Sequence, residues 1–134
     1  MRYVMLSEDE VHEIKKLHES LLSKSSHGIF HSVGKIIGES VIKEVSDDSK
    51  FLDDAARILK ERKIVDDVTF ESGTVTTKGC VEVRNSETPT CDVMRGIIVS
   101  LYRAHLCKTI YCEETACEST GSDRCVFEIR TEVI

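Results

Sequence analysis

Six cysteines, Cys80, Cys91, Cys107, Cys112, Cys117 and Cys125, all lie in the second half of the 134-residue chain. Without an export signal, such clustering points to a metal site or to catalysis more than to disulfides. The informative spacing is Cys91, then Glu114, Cys117 and Cys125, with Cys112 a rival to Glu114 because alternate residues of a strand share a face. Three thiolates with one carboxylate, or four thiolates, suit Zn²⁺ held tetrahedrally at about 2.0 to 2.3 Å. Either set is closed, so the ion would contribute folding free energy and have no open position at which to activate water. Arg95 and Arg124 are the candidate cations to offset four anionic ligands. Cys80 and Cys107 read as small buried hydrophobes. The five histidines, His12, His18, His27, His31 and His105, have no metal-ligand spacing to the cysteines, and no Ser/His/Asp set or nucleophile elbow occurs.

For those ligands to meet, the elements between them must run out and back. A helix from Cys91 to about Cys107, with Met94, Ile97, Ile98 and Leu101 on one side, carries the chain about 24 Å away. A strand over Thr109 to Ala116 returns it by about 23 Å, which brings Glu114 and Cys117 back beside the helix start. Thr90 is placed to cap that helix, and its N-terminal N–H groups favour a thiolate at Cys91. The Ser119 to Asp123 turn cluster then joins a second strand, Arg124 to Val133, setting Cys125 across from Cys117.

Upstream, Ser7 and Glu10 form a capping-box pattern, followed by Val11, Ile14, Leu17 or His18, Leu21 and Leu22 at helical spacing to about Lys24. Ser25 to Gly28 reads as a break. Ile29, Phe30, Val33, Ile36, Ile37, Val41 and Val45 make a second, more apolar helix, and Asp47, Asp48 or Ser49 is placed to cap a third that runs to Lys63. The period changes to two at Val68 and Phe70, with a turn at Ser72-Gly73 and a strand over Val75 to Arg84. Three N-terminal helices, a β-hairpin, a helix and a β-hairpin predict an α+β fold, helices packed on an antiparallel sheet, in a single domain over 1–134.

Eighteen Lys and Arg against twenty-four Asp and Glu give a net charge of -6, which opposes nucleic-acid binding. The longest uncharged apolar stretch, Gly96 to Tyr102, is far short of the roughly 20 residues a spanning helix needs, so no membrane insertion is expected. The first ten residues turn acidic after Leu6 and do not have the form of a signal peptide, so a cytoplasmic protein is expected.

The segment Cys91 to Ile129 resembles the 4-vinyl reductase-type (hydrocarbon-binding) domain family, related to the phenol-sensing regions of bacterial transcriptional activators. The resemblance rests on Cys91 opening a helix, Glu114-Thr115-Ala116-Cys117, Gly121 and Cys125-Val126-Phe127. The element order is similar to the ligand-binding fold of nitric-oxide signalling and Golgi transport proteins. The resemblance implies a structural zinc on Cys91, Glu114, Cys117 and Cys125, which prefers Glu114 over Cys112. It also implies a small hydrophobic ligand between helices and sheet and a sensor or carrier role. With no tryptophan and 5% aromatic residues, the chain departs from the aromatic-lined pockets of phenol sensors.

From the residues themselves, Phe30, Val33, Ile37 and Val41 facing Val68, Phe70, Leu101 and Ile110 would line such an apolar interior. The competing readings are a non-catalytic scaffold with a filled core, marked by exposed apolar residues on the first two helices, and an accessory part of a reductase. An enzyme would need an open metal position or a cofactor pocket, and no nucleotide motif is present. The apolar second helix points to a homodimer.

Overall fold

Ser7 opens the first helix as the sequence predicts: its Oγ accepts from Glu10 N at 3.1 Å, and the Glu10 carboxylate accepts from Ser7 N at 3.0 Å. The computed structural model describes residues 2–22, 25–46 and 48–131. Helix α1 (Glu8–Leu22) turns Lys15 inward and half-buries Val11 and His18, leaving Ile14 and Leu17 exposed. This differs from the expected stripe because Lys15 finds three acceptors inside the protein, and the helix rotates to bury it. Helix α2 (Ser25–Glu44) already contains Ser25 to Gly28, the residues expected to break the chain. Ser23, Lys24 and Asp47 lie outside the described residues, as do 132–134, so strand β4 below is described only to Thr131.

A 3₁₀ turn at Asp48–Lys50 leads into α3 (Phe51–Glu61), so Asp48 and Ser49 belong to that turn, and Lys50 occupies the N-cap without a side-chain cap. Strands β1 (Asp67–Phe70) and β2 (Thr74–Lys78) form the first hairpin. The expected strand to Arg84 ends at Lys78, because Gly79 takes a left-handed conformation (φ 66°) and turns the chain into a strap over residues 79–91. A Cβ at Gly79 would meet Asp66 Oδ2 at 2.0 Å.

Helix α4 (Asp92–Leu106) packs along α2 on one side and against the sheet on the other. It is therefore buried nearly all round, from Met94 to Tyr102, rather than along one stripe. Gly34 and Gly96 make the α2–α4 crossing possible: a Cβ on Gly34 would lie 1.9 Å from Val93 O, and one on Gly96 would lie 2.0 Å from His31 O. Cys107 ends α4 as a left-handed C-cap and is exposed, not the buried hydrophobe expected, because the chain reverses there into β3 (Ile110–Ala116). A 3₁₀ turn at Glu118–Thr120 and Gly121 (φ 103°) connects to β4 (Cys125–Thr131). The four strands form one antiparallel sheet in the order β1-β2-β4-β3. The result is the expected α+β arrangement, with helices packed on an antiparallel sheet.

Candidate metal centre and apolar cavity

Four side chains from three places converge at the N-terminus of α4. Cys91 is its N-cap residue, and Thr90 does not cap the helix: its hydroxyl bonds Glu82 O and Ser119 Oγ, tying the strap to the β3–β4 turn. Along β3, alternation turns Ile110, Cys112 and Glu114 inward. A register shift between Glu114 and Ala116 then lets the chain reach Cys117 beside Cys125 at the start of β4. The donor atoms of Cys91, Glu114, Cys117 and Cys125 all lie within 4.8 Å of one another.

The sulfur separations are 3.8 Å for Cys91–Cys125 and 3.9 Å for Cys117–Cys125. A tetrahedron with metal–sulfur distances of about 2.3 Å has edges of about 3.8 Å. Glu114 Oε1 accepts from Cys91 N at 3.1 Å, while its Oε2 is buried without a hydrogen-bond partner among the described residues. A buried carboxylate oxygen without a hydrogen-bond partner, close to three buried sulfurs, fits the donor chemistry of a metal ligand. Cys125 Sγ accepts from Glu118 N at 3.3 Å, and Thr90 Oγ1 lies 3.9 Å from Cys117 Sγ, contacts that orient the two thiols. Hydrogen bonds from Cys125 and Cys91 hold the Cys117 thiol far below its ordinary value, and those same contacts with Cys117 push Cys91 and Cys125 up. Burial pushes Glu114 up to about 8, with the Cys117 charge adding.

Cys112 shares the inward face of β3 but stands outside this group, and burial raises its thiol to about 12. The two candidate cations lie elsewhere: Arg95 reaches toward Asp92 at 3.9 Å, and Arg124 toward Asp123 at 3.8 Å.

Sequence reasoning missed a buried charge network next to this site. Lys15 Nζ, on a side chain 1% exposed, donates to Glu82 Oε1 at 2.8 Å, to Thr90 O and to Asp92 Oδ2 at 3.4 Å. Glu82 in turn accepts from Val93 N at 2.9 Å and Met94 N at 3.0 Å, which occupies the free donors at the start of α4. His27 pairs with Asp92 at 2.9 Å. The available signal was Lys15 standing four residues after Val11 and three before His18, on the phase that faces the core. Cys80 is buried and lies within 4.8 Å of Glu82 and Cys91.

An apolar cavity of about 310 Å³ lies between α1, α2, the strap and the start of α4. Phe30, Val33 and Ile37 line it. The other expected pocket residues are elsewhere: Val41, Val68, Leu101 and Ile110 are buried in the core, and Phe70 leans on Tyr102 at 6.1 Å. The helix–sheet interface where a ligand was expected is thus occupied by side chains, and the open space lies one layer out.

Residues 74–131, which contain Cys91, Glu114, Cys117 and Cys125, match the V4R domain. The resemblance read from Cys91, Glu114, Cys117 and Cys125 holds over that segment. An uncharacterized protein of Methanocaldococcus jannaschii is 30% identical over 111 residues, which make up 78% of this chain and 64% of that relative. This chain thus spans just under two thirds of that relative's length. Among solved structures, the phenol-responsive sensory domain of the transcription activator PoxR, determined with phenol, aligns at a TM-score of 0.76 and 18% identity. That alignment covers 98% of this chain and 77% of the sensory domain. A vinyl-4-reductase family protein of Methanocaldococcus jannaschii aligns at 0.66 and 15%, covering 99% and 85%. An H-NOX protein from S. oneidensis, in its Fe(II)NO state, aligns at 0.62 and 14%, covering 99% and 82%. The fold is therefore one shared with the PoxR sensory domain, the vinyl-4-reductase family protein and the H-NOX protein. No helix among the described residues is long and apolar enough to cross a membrane.

Proposed function

We propose that this chain is a zinc-stabilised module that binds a small hydrophobic ligand and acts as a sensor or carrier. The observation that carries the metal half is the donor set itself: three buried sulfurs, two of their separations at tetrahedral edge length, and a Glu114 oxygen without a hydrogen-bond partner among the described residues. Cys91, Glu114, Cys117 and Cys125 would hold Zn²⁺ as a closed four-ligand site, and the ion would supply cross-linking between the start of α4, the end of β3 and the start of β4. The cavity between α1 and α2 supports the ligand half. In the PoxR domain the bound molecule is phenol; here the ligand class follows from the cavity's own lining. All six cysteines are free, which fits a reducing, cytoplasmic setting.

The deciding measurement is metal content of the purified protein beside a Cys125→Ser variant, followed by mass spectrometry of co-purified small molecules. About one zinc per chain, lost together with stability in the variant, is the expected result. A metal-free protein of undiminished stability would remove the metal half.

A second reading has its own support. Leu17, Ile29 and Ile36 are 64%, 41% and 69% exposed on α1 and α2, a surface suited to a second copy of the chain. Light scattering that finds only monomer at micromolar concentration would exclude this homodimer.

A further inference from the structure

The shape and lining of the α1–α2 cavity narrow the chemistry of its occupant. We infer that it takes the end of a flexible aliphatic chain of about twelve carbons, with any polar head left outside the mouth. This assignment rests on reading the chain as a ligand-binding module.

Size is the first argument. An apolar cavity of about 150 Å³ accepts one benzene ring, and this one has about 310 Å³. A single phenol-sized ring would leave half of it without contacts, and unfilled space forfeits dispersion energy.

Polarity is the second. Apart from aliphatic residues and Phe30, the walls contain only Lys15 and Glu82. The three N–H bonds of Lys15 go to Glu82, Thr90 O and Asp92. The Glu82 oxygens accept from Lys15, Val93 N and Met94 N. Among the described residues both charged groups of the wall already have partners, so a ligand hydroxyl or carboxylate buried there would have to displace an existing hydrogen bond or stay unpaired. A site of this kind selects against phenols and fatty-acid head groups alike and selects for methylene chains.

The mouth is the third. Leu6, Ile14 and Val33 line the cavity and are 53%, 48% and 38% exposed, so the entrance is itself an apolar lip. A chain can cross that lip while its head stays in water.

The test uses the zinc-loaded full chain with 1-hexanol, 1-octanol, 1-decanol, 1-dodecanol and phenol at matched concentrations, read by thermal shift and by equilibrium binding. Affinity should rise about fourfold per added methylene up to about twelve carbons, and phenol should give no shift. Val33→Trp, at a partly exposed position on the wall, should abolish the decanol shift while zinc content and the unliganded midpoint stay unchanged. Phenol binding as well as decanol, or a plateau already at hexanol, overturns the aliphatic assignment. If Val33→Trp then abolishes phenol binding, the ligand-binding reading survives that failure. A decanol shift that persists in Val33→Trp places the ligand elsewhere and overturns the inference. Absence of binding by every probe, with a dimer in light scattering, overturns both the inference and the ligand-binding reading and assigns the lip to a second copy.

Discussion

Replacing Lys15 by methionine tests whether the buried charge network braces the fold beside the candidate metal centre. Lys15 and Glu82 are each 1% exposed and 2.8 Å apart, so the variant strands Glu82 in a water-free site. Removing one partner of such a pair costs about 3 to 5 kcal/mol. Two backbone donors to Glu82 remain, Val93 N at 2.9 Å and Met94 N at 3.0 Å, with the weak Cys80 thiol at 3.9 Å, and methionine keeps the apolar stem of the wall in place. The lower end, about 3 kcal/mol, is therefore expected, a fall in Tm of about 10 °C for a chain of this size. Adding Glu82→Gln removes the stranded charge, so the double variant should recover about 2 kcal/mol relative to the sum of the single changes. Urea titration of the zinc-loaded protein, with unchanged slope, gives both numbers. A Lys15→Met cost below about 1 kcal/mol, or strict additivity of the pair, would refute the argument.

The same network sets the alkaline limb of stability. Burial opposes the Lys15 charge, but Glu82 and Asp92 outweigh it and raise its pKa above 10.5. Its contribution is complete below pH 10.5 and is lost as pH rises through the higher folded value. Lys15→Met should therefore flatten that limb in a denaturation series above pH 10.

Gly34→Ala should destabilise by about 3 kcal/mol or more in urea melts, since its Cβ would sit 1.9 Å from Val93 O and only a shift of α2 off α4 relieves it. Gly73→Ala, where an added Cβ meets nothing within 4 Å, is the control and should change stability by less than about 0.5 kcal/mol. Burial, with Arg95 and Lys35 adding, lowers the His31 pKa below 6.5. The unfolded chain thus takes up a proton first, and stability present above pH 6.5 is lost as pH falls through the folded value. A Tm series from pH 8 to 5 should show this slope in the native chain and a shallower one in His31→Gln.

Much of the fold is written in local periodicity. The Ser7–Glu10 capping box, the apolar run of α2, the Ser72-Gly73 turn and the two hairpins follow from short-range sterics and from the switch between periods of 3.6 and 2, which a sequence displays directly. The candidate metal cluster was legible for a related reason: a helix of about 24 Å answered by a strand of about 23 Å brings the end of β3 and Cys117 back beside Cys91, and the family resemblance prefers Glu114 to Cys112.

Tertiary contacts decided the rest. Lys15 is charged and sits among apolar residues, and only the strap's Glu82 and Thr90 together with Asp92 of α4, more than sixty residues away in sequence, make its burial tolerable. Which of Glu114 and Cys112 joins the cluster depends on how far along β3 the sulfurs of Cys91, Cys117 and Cys125 meet, which period-two alternation cannot reveal because both residues share one face. The cavity lies between α1 and α2 because Gly34 and Gly96 draw α2 tightly onto α4 and fill the layer above the sheet, leaving α1 as the wall that does not close. Sequence determined which elements form and which cysteines and carboxylate are candidates to meet, since both depend on spacing along the chain. Where the open space lies depends on how closely backbones approach across the molecule, and that is a property of packing alone.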